Sequence, residues 1–150
     1  VPENSIFTPH RKEFDRLFGE HENWWQRIQT GIQKAKEHQL FILLKNDYTL
    51  IITPQGKVYF NTTGNPAMAS GGMGDVLTGI LASLLAQGYS PEETCIIGAF
   101  VHGKAGDELA LPDQMNVVLP GQVAAQLTFT MGKLMEQKKA ACIIRPFHNY

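Results

Sequence analysis

Hydrophobic and polar positions along this chain change their period three times, and the changes mark out its elements. Near the start, "SIFTP" reads as a short strand ended by Pro9. Thr8 is placed to cap a following helix with Pro9 at its first position, where the missing N–H costs nothing. In "KEFDRLFG", Phe14, Leu17 and Phe18 recur at helical spacing, and Gly19 stops the run. A second helix is expected near residues 22–38, where Trp24 and Trp25 read as a core residue and its surface partner beside Ile28 and Ile32. "LFILLK" is continuously apolar, the pattern of a strand covered on both faces. "TLIITP", a short turn with Gln55-Gly56, and "KVYFN" read as a hairpin.

From Asp75 the period lengthens to about 3.6 residues. Val76, Leu77, Ile80, Leu81, Leu84 and Leu85 form one broad apolar face, and Gly88 closes it. Ser90-Pro91-Glu92-Glu93 then opens another helix with a cap and early acids. Its body, "EETCIIGAFVHGKAGDELA", is apolar nearly all round and rich in small residues, as a buried helix would be. A last helix is expected near residues 119–139. Strands come first and helices dominate later, which gives an α/β fold with one sheet covered by helices.

Composition narrows the class. A chain of 150 residues with 43% hydrophobic content is one globular domain or a large piece of one. The net charge of −1, without a basic stripe, argues against nucleic-acid or membrane partners, which need clustered Lys and Arg. No apolar run approaches the roughly 20 residues that span a bilayer. Cys95 and Cys142 are far apart and lack metal-ligand spacing, so a reducing, cytoplasmic setting is expected. The chain opens "VPENSIFTPH", without Met and with no element before its first strand, so a fragment or processed product is expected.

The chemistry concentrates in "NPAMASGGMGDVLTGILASLL", residues 65–85. Gly71, Gly72 and Gly74 stand directly before Asp75, where a helix begins. Glycines let a backbone approach a ligand closely, and a helix start adds unpaired N–H donors and a positive dipole end. Together they suit a phosphate or a developing oxyanion. No Gly-Lys-Ser/Thr follows, so this is not a Walker loop, and the glycines do not follow a strand as a dinucleotide fingerprint requires. The bland alternative is a mobile turn with Asp75 as helix N-cap. A carboxylate at a helix start is a modest base, which suffices where catalysis is mainly positioning and charge stabilisation.

Longer stretches resemble a known family. "NTTGNPAMASGGMGDVLTGILASLLAQG" followed by "GAFVHGKAGD" is similar to the ADP/ATP-dependent NAD(P)H-hydrate dehydratases of the ribokinase-like superfamily. "FTPHRKEFDRLFG" resembles that family's Thr-Pro-His-x-x-Glu-Phe segment, and "LLKNDYTLIITPQGKVYFN" its Lys-Gly-x-x-Thr strand. The resemblance implies a mostly parallel sheet flanked by helices, here as the C-terminal part of one catalytic domain. It implies repair of hydrated NADH and NADPH: the added hydroxyl is phosphorylated and phosphate is then eliminated. The implied co-substrate is ADP or ATP, with Mg2+ held mainly by the phosphates.

By the same resemblance, His10 would contact the hydrated cofactor, and Lys45, Asn46, Asp47, Tyr48 and Thr49 would line the nucleotide site. Gly71, Gly72 and Gly74 would meet the phosphates, and Asp75 would face the substrate hydroxyl as the catalytic residue. Each has a plainer reading: His10 as a cap, Lys45 as a snorkelling strand end, Thr49 as a strand former, and Glu13 as a first-turn acid. His102 reads as a packed core histidine. The family's Pro-Gly after its histidine is Arg11-Lys12 here, and its glycine after the lysine is Asn46. The family's N-terminal half, with further strands and part of the substrate pocket, has no counterpart in this sequence. Exposed sheet edge and apolar surface are then expected, and with them a homo-oligomer. The alternatives are a small-molecule kinase of the same superfamily and a nucleotide-binding module without activity.

Overall fold

The computed structural model describes residues 1–46, 48–113 and 116–143. Its elements are β1 (Ile6–Phe7), α1 (Arg11–Phe18), α2 (Trp24–His38), β2 (Phe41–Leu44), β3 (Thr49–Ile52) and β4 (Val58–Asn61). A single 3-10 turn at Pro66–Met68 follows, then α3 (Met73–Ala86), α4 (Pro91–Asp113) and α5 (Pro120–Ile143).

Four strands form one sheet in the order β1-β2-β3-β4. Only β1 and β2 run parallel, joined by the crossover through α1 and α2, while β2–β3 and β3–β4 are antiparallel. The described sheet is therefore mixed, where a mostly parallel one was expected. Parallel neighbours need a long crossover, and the short connections on either side of β3 allow only hairpins. The hairpin read from residues 49–61 is present, with Leu50 opposite Phe60 and Ile52 opposite Val58.

β2 is buried at all four positions, as its unbroken apolar run requires. Its side chains alternate between two cores. Ile42 and Leu44 join Phe14, Ala35, Leu50 and Ile52 beneath α1 and α2. Phe41 and Leu43 join Ile51, Leu77, Leu81, Cys95 and Ala99 beneath α3 and α4. Phe14 is fully buried, and its replacement by Ala is expected to cost about 3–5 kcal/mol. Glycines set the close approaches: a Cβ on Gly31 of α2 would stand 2.5 Å from Ile52 Cδ1, and one on Gly98 of α4 would stand 2.6 Å from Leu81 Cδ2. A third core joins α4, α5 and the 3-10 turn through Met68, Met73, Ala105, Val118 and Val123.

Helix starts differ from the sequence reading in two places. The N-cap of α1 is His10, not Thr8: its Nδ1 accepts from the Glu13 N–H at 3.2 Å, and Glu13 Oε2 accepts from the His10 N–H at 2.7 Å. Residues before it stay extended because Lys45 N–H donates to the Pro9 carbonyl at 2.9 Å and His10 bridges to Lys45. A tertiary contact thus delays the helix past Pro9. α3 begins at Met73, capped by Gly72 in a left-handed conformation (φ 89°). Asp75 lies in its first turn, so the reading of Asp75 as N-cap is excluded.

Between α1 and α2, the Arg27 guanidinium grips Asp15 with bonds of 2.9 and 2.7 Å. This pair, with His21 beside it, holds the Asp15 carboxyl below its usual range against the opposing effect of burial. Trp24 packs against the core while Trp25 is exposed, as expected. No described helix is long and apolar enough to cross a membrane.

Candidate active site

The segment from Asn61 to Gly72 carries the glycine loop from β4 to α3, and its placement depends on α4. Asn61 is buried and donates to the Ala99 carbonyl at 3.1 Å. Thr63 Oγ1 donates to the Phe100 carbonyl at 3.0 Å. The Gly64 N–H and Asn65 Nδ2 donate to the two carboxylate oxygens of Asp107, at 3.0 and 2.8 Å. Asn65 Oδ1 in turn caps the 3-10 turn by accepting from the Ala67 N–H at 3.0 Å. The small residues of α4 make room for this chain: a Cβ on Gly103 would stand 2.5 Å from the Thr63 carbonyl carbon, and one on Gly106 would collide with Met68.

At the end of the segment, the left-handed Gly72 turns the chain into α3. No side chain caps this helix, and the Gly74 N–H takes no backbone acceptor among the described residues. Helix starts leave such donors for an external partner. Lys45, at the end of β2, reaches the same place: its Nζ lies 3.2 Å from where a Gly74 Cβ would stand. A lysine ammonium and an open helix N-terminus therefore converge on one point.

That point separates two clefts. One, of about 710 Å³, holds Asp75 and Thr78 together with Gly72, Glu13 and Arg16. The other, of about 690 Å³, runs past Asn46, Tyr48 and Thr49 on one side and Asn61, Asn65 and Met68 on the other. Lys45 and Gly74 line both. Asp75 thus lines the cleft on one side of this shared wall, and Asn46, Tyr48 and Thr49 line the cleft on the other.

The sequence-derived site is thus largely brought together. Lys45, Asn46, Tyr48, Thr49 and Gly74 share the second cleft, while Gly72 and Asp75 open on the first. His10 lines the second cleft rather than standing with Asp75, and its Nδ1 is engaged in the cap. Gly71 lines neither cleft, and Asp47 lies outside the described residues. Arg11 and Lys12 are exposed in the first turn of α1.

Glu13 adds negative charge to the first cleft, its carboxyl held below the usual range chiefly by the hydrogen bond from the His10 backbone. His102 is half-buried on the wall of the second cleft, and its Nε2 is buried without a hydrogen-bond partner among the described residues. Burial pushes its imidazole below the usual histidine range, which the Met73 backbone opposes and Lys45 reinforces. Arg16, Thr78 and Asp107 escaped the sequence reading. For Asp107 a signal existed: Gly103, Gly106 and Asp107 share one helix face at i, i+3 and i+4 spacing.

The family model for NAD(P)H-hydrate dehydratase matches residues 2–128. The chain belongs to this family. It is 40% identical over 134 residues to the bifunctional NAD(P)H-hydrate repair enzyme Nnr of Moorella thermoacetica, covering 88% of this chain and 25% of that protein. It is 35% identical over 151 residues to the ADP-dependent (S)-NAD(P)H-hydrate dehydratase of Enterococcus faecalis, covering 93% of this chain and 50% of the relative. Among solved structures, the ADP/ATP-dependent NAD(P)H-hydrate dehydratase of Bacillus subtilis, co-crystallised with ATP/Mg2+, superposes with a TM-score of 0.79 at 30% identity. That match covers 89% of this chain and 50% of the other. Ribokinase from Thermotoga maritima matches at a TM-score of 0.52 and 23% identity, a likeness of fold. The ribokinase-like fold is thereby shown, and the chain spans about half the length of the B. subtilis and E. faecalis proteins.

Proposed function

We propose that this chain supplies the nucleotide-dependent dehydration of hydrated NADH and NADPH. The observation that carries the reading is the wall of Lys45 and Gly74 common to two clefts, with Asp75 on one side. ADP or ATP occupies the cleft along residues 45–49, its terminal phosphate at the Gly74 N–H and the Lys45 ammonium. The hydrated nicotinamide enters the cleft of Asp75, while His10 lines the nucleotide cleft and bridges to Lys45 through its backbone.

Asp75 orients the added hydroxyl and accepts its proton as the oxygen bonds to phosphorus. The bond from phosphorus to the leaving nucleotide oxygen breaks, and Lys45 and the α3 amides stabilise the charge that develops there. Loss of the new phosphate ester as phosphate, with departure of a ring proton, restores the double bond. Both clefts are needed for this sequence, because the nucleotide and the alcohol meet at one phosphorus from opposite sides.

Mg2+ fits this site as a companion of the nucleotide. Among the described residues no group of three His, Cys, Asp or Glu side chains converges, and a Mg2+ entering with the nucleotide would be held mainly by its phosphates. The ion supplies charge neutralisation on the phosphate chain; binding and orienting the hydroxyl remain with the residues named above.

Incubation with hydrated NADH and ADP or ATP is expected to restore reduced-nicotinamide absorbance. Nucleotide consumption with a sugar or other alcohol, without that recovery, would instead identify a small-molecule kinase. ADP binding with neither activity would leave a nucleotide-binding module. Self-association belongs to the same reading: β1 is a two-residue edge strand, and Phe60 and Phe129 are exposed. A monomer by light scattering at high concentration removes that part.

A further inference from the structure

We infer that Asp107 is a positioning residue that sets nucleotide affinity by fastening one wall of the nucleotide cleft to α4. The inference rests on the reading of that cleft as the nucleotide site. Asp107 lines neither cleft, so it acts through the chain it holds. Its two carboxylate oxygens each accept one bond, from the Gly64 N–H and from Asn65 Nδ2, across more than 40 residues of sequence.

Both partners line the cleft. Gly64 sits at φ 101°, a left-handed conformation that aims its N–H back at α4. Asn65 uses its two polar atoms for two purposes: Nδ2 binds Asp107 while Oδ1 caps the turn at Ala67. The carboxylate therefore fixes which way the Asn65 amide faces, and with it the turn that carries Met68 into the core. Gly103 and Gly106 let the segment approach, and Asp107, on the same face of α4, secures it. Thr63 and Ser70 hold the segment at either side, to the Phe100 and Val118 carbonyls. Without Asp107 the Thr63 bond still holds the segment to α4 and the Ser70 bond ties its end to the chain before α5, but residues 64 and 65 are left unfixed.

The test is calorimetric titration of ADP into the wild type, Asp107→Ala, Asp107→Asn, Asn65→Asp and the double exchange Asn65→Asp/Asp107→Asn. Loss of two bonds to a charged acceptor is expected to raise the ADP Kd of Asp107→Ala by about tenfold or more. Asp107→Asn keeps one acceptor and loses the other, and Asn65→Asp sets two carboxylates face to face, so each alone weakens binding. The double exchange restores the pairing with donor and acceptor reversed. The amide introduced at position 107 accepts from the Gly64 N–H and donates to the carboxylate introduced at position 65, which still caps Ala67. Recovery of near wild-type affinity in the double exchange supports positioning, and the isosteric series decides the matter even if Asp107→Ala does not fold. Wild-type affinity in Asp107→Asn, or a double exchange no better than its parents, overturns the inference while the nucleotide site stands. Absence of ADP binding in the wild type removes the nucleotide reading, and this inference with it.

Discussion

Two helices begin within reach of Lys45, and they begin differently. α1 is closed by its own side chains, His10 and Glu13, each accepting from the other's backbone N–H. α3 starts on a left-handed glycine with no side-chain cap, and its Gly74 N–H stays without a backbone acceptor among the described residues. Lys45 bridges to the first start through its backbone and reaches the second with its ammonium. Both starts have the same donors and the same dipole. A capping box spends those donors on stability, and the bare glycine start leaves them open, as the proposed phosphate site would need. The contrast explains why glycine, a poor contributor to helix stability, stands where α3 begins.

The largest effect that sharpens this contrast is expected at Asp75. Asp75→Ala should reduce dehydration by about 10²–10⁴-fold while ADP affinity is unchanged, if the proposed roles hold and the carboxylate serves the hydroxyl while the amides serve the phosphate. A parallel loss of ADP binding would merge roles that are here separated. Next is Gly74→Val, which sets a branched side chain against the Lys45 ammonium and over the open amide. Its ADP Kd is expected to rise by at least about tenfold, or about 1.4 kcal/mol, with little change in melting temperature.

Gly72→Ala acts on the fold first. The residue would need a left-handed backbone, with its Cβ 3.2 Å from Pro120 Cγ, and about 1–2 kcal/mol of stability should be lost in a denaturant titration. The smallest effect belongs to the closed start. Glu13→Gln should cost about 0.5–1 kcal/mol, since the box is exposed to solvent, and should leave ADP affinity alone. Its pH dependence has a definite sign. The His10 amide holds the Glu13 carboxyl below its ordinary value of 4.5, so the charged box contributes fully above that pH. The difference between wild type and Glu13→Gln should shrink as pH falls below 4.5 and through the lower folded value. A difference that grew on acidification would show that the carboxylate is not what closes α1.

The sequence was most informative where one residue's surroundings repeat along the chain. The unbroken run of β2, the alternation through the hairpin and the helical period from Val76 to Leu85 each reflect burial against a continuous neighbour. Tertiary contacts at single points were not legible. Pro9 reads as a first helical residue until the bridge to Lys45 holds the chain extended. His102 reads as core, because nothing in a helical period says that the neighbour at that height is a cleft. The small residues of α4 announce a close approach but not what approaches: Gly98 meets a helix, and Gly103 and Gly106 meet an irregular segment. The glycine loop and Asp75 stood out by residue type, whereas the place of Lys45 and Gly74 on a wall common to two clefts depends on the fold and was not legible.

Cys95 gives the molecule a built-in probe. It lies on α4, fully buried against α3 and the sheet, and burial, with a smaller effect of Glu92, pushes its thiol up to about 12. At neutral pH the reactive thiolate is nearly absent and the sulfur is covered, so alkylation must wait for the helices to part. In a Cys142→Ser background, the rate at which Cys95 takes up a thiol reagent therefore counts openings of the helical layer that carries Asp75. Slowing of that rate by ADP would report, without any spectroscopic change in the ligand, how far occupancy of the cleft tightens the core whose Leu77 and Ala99 also line it.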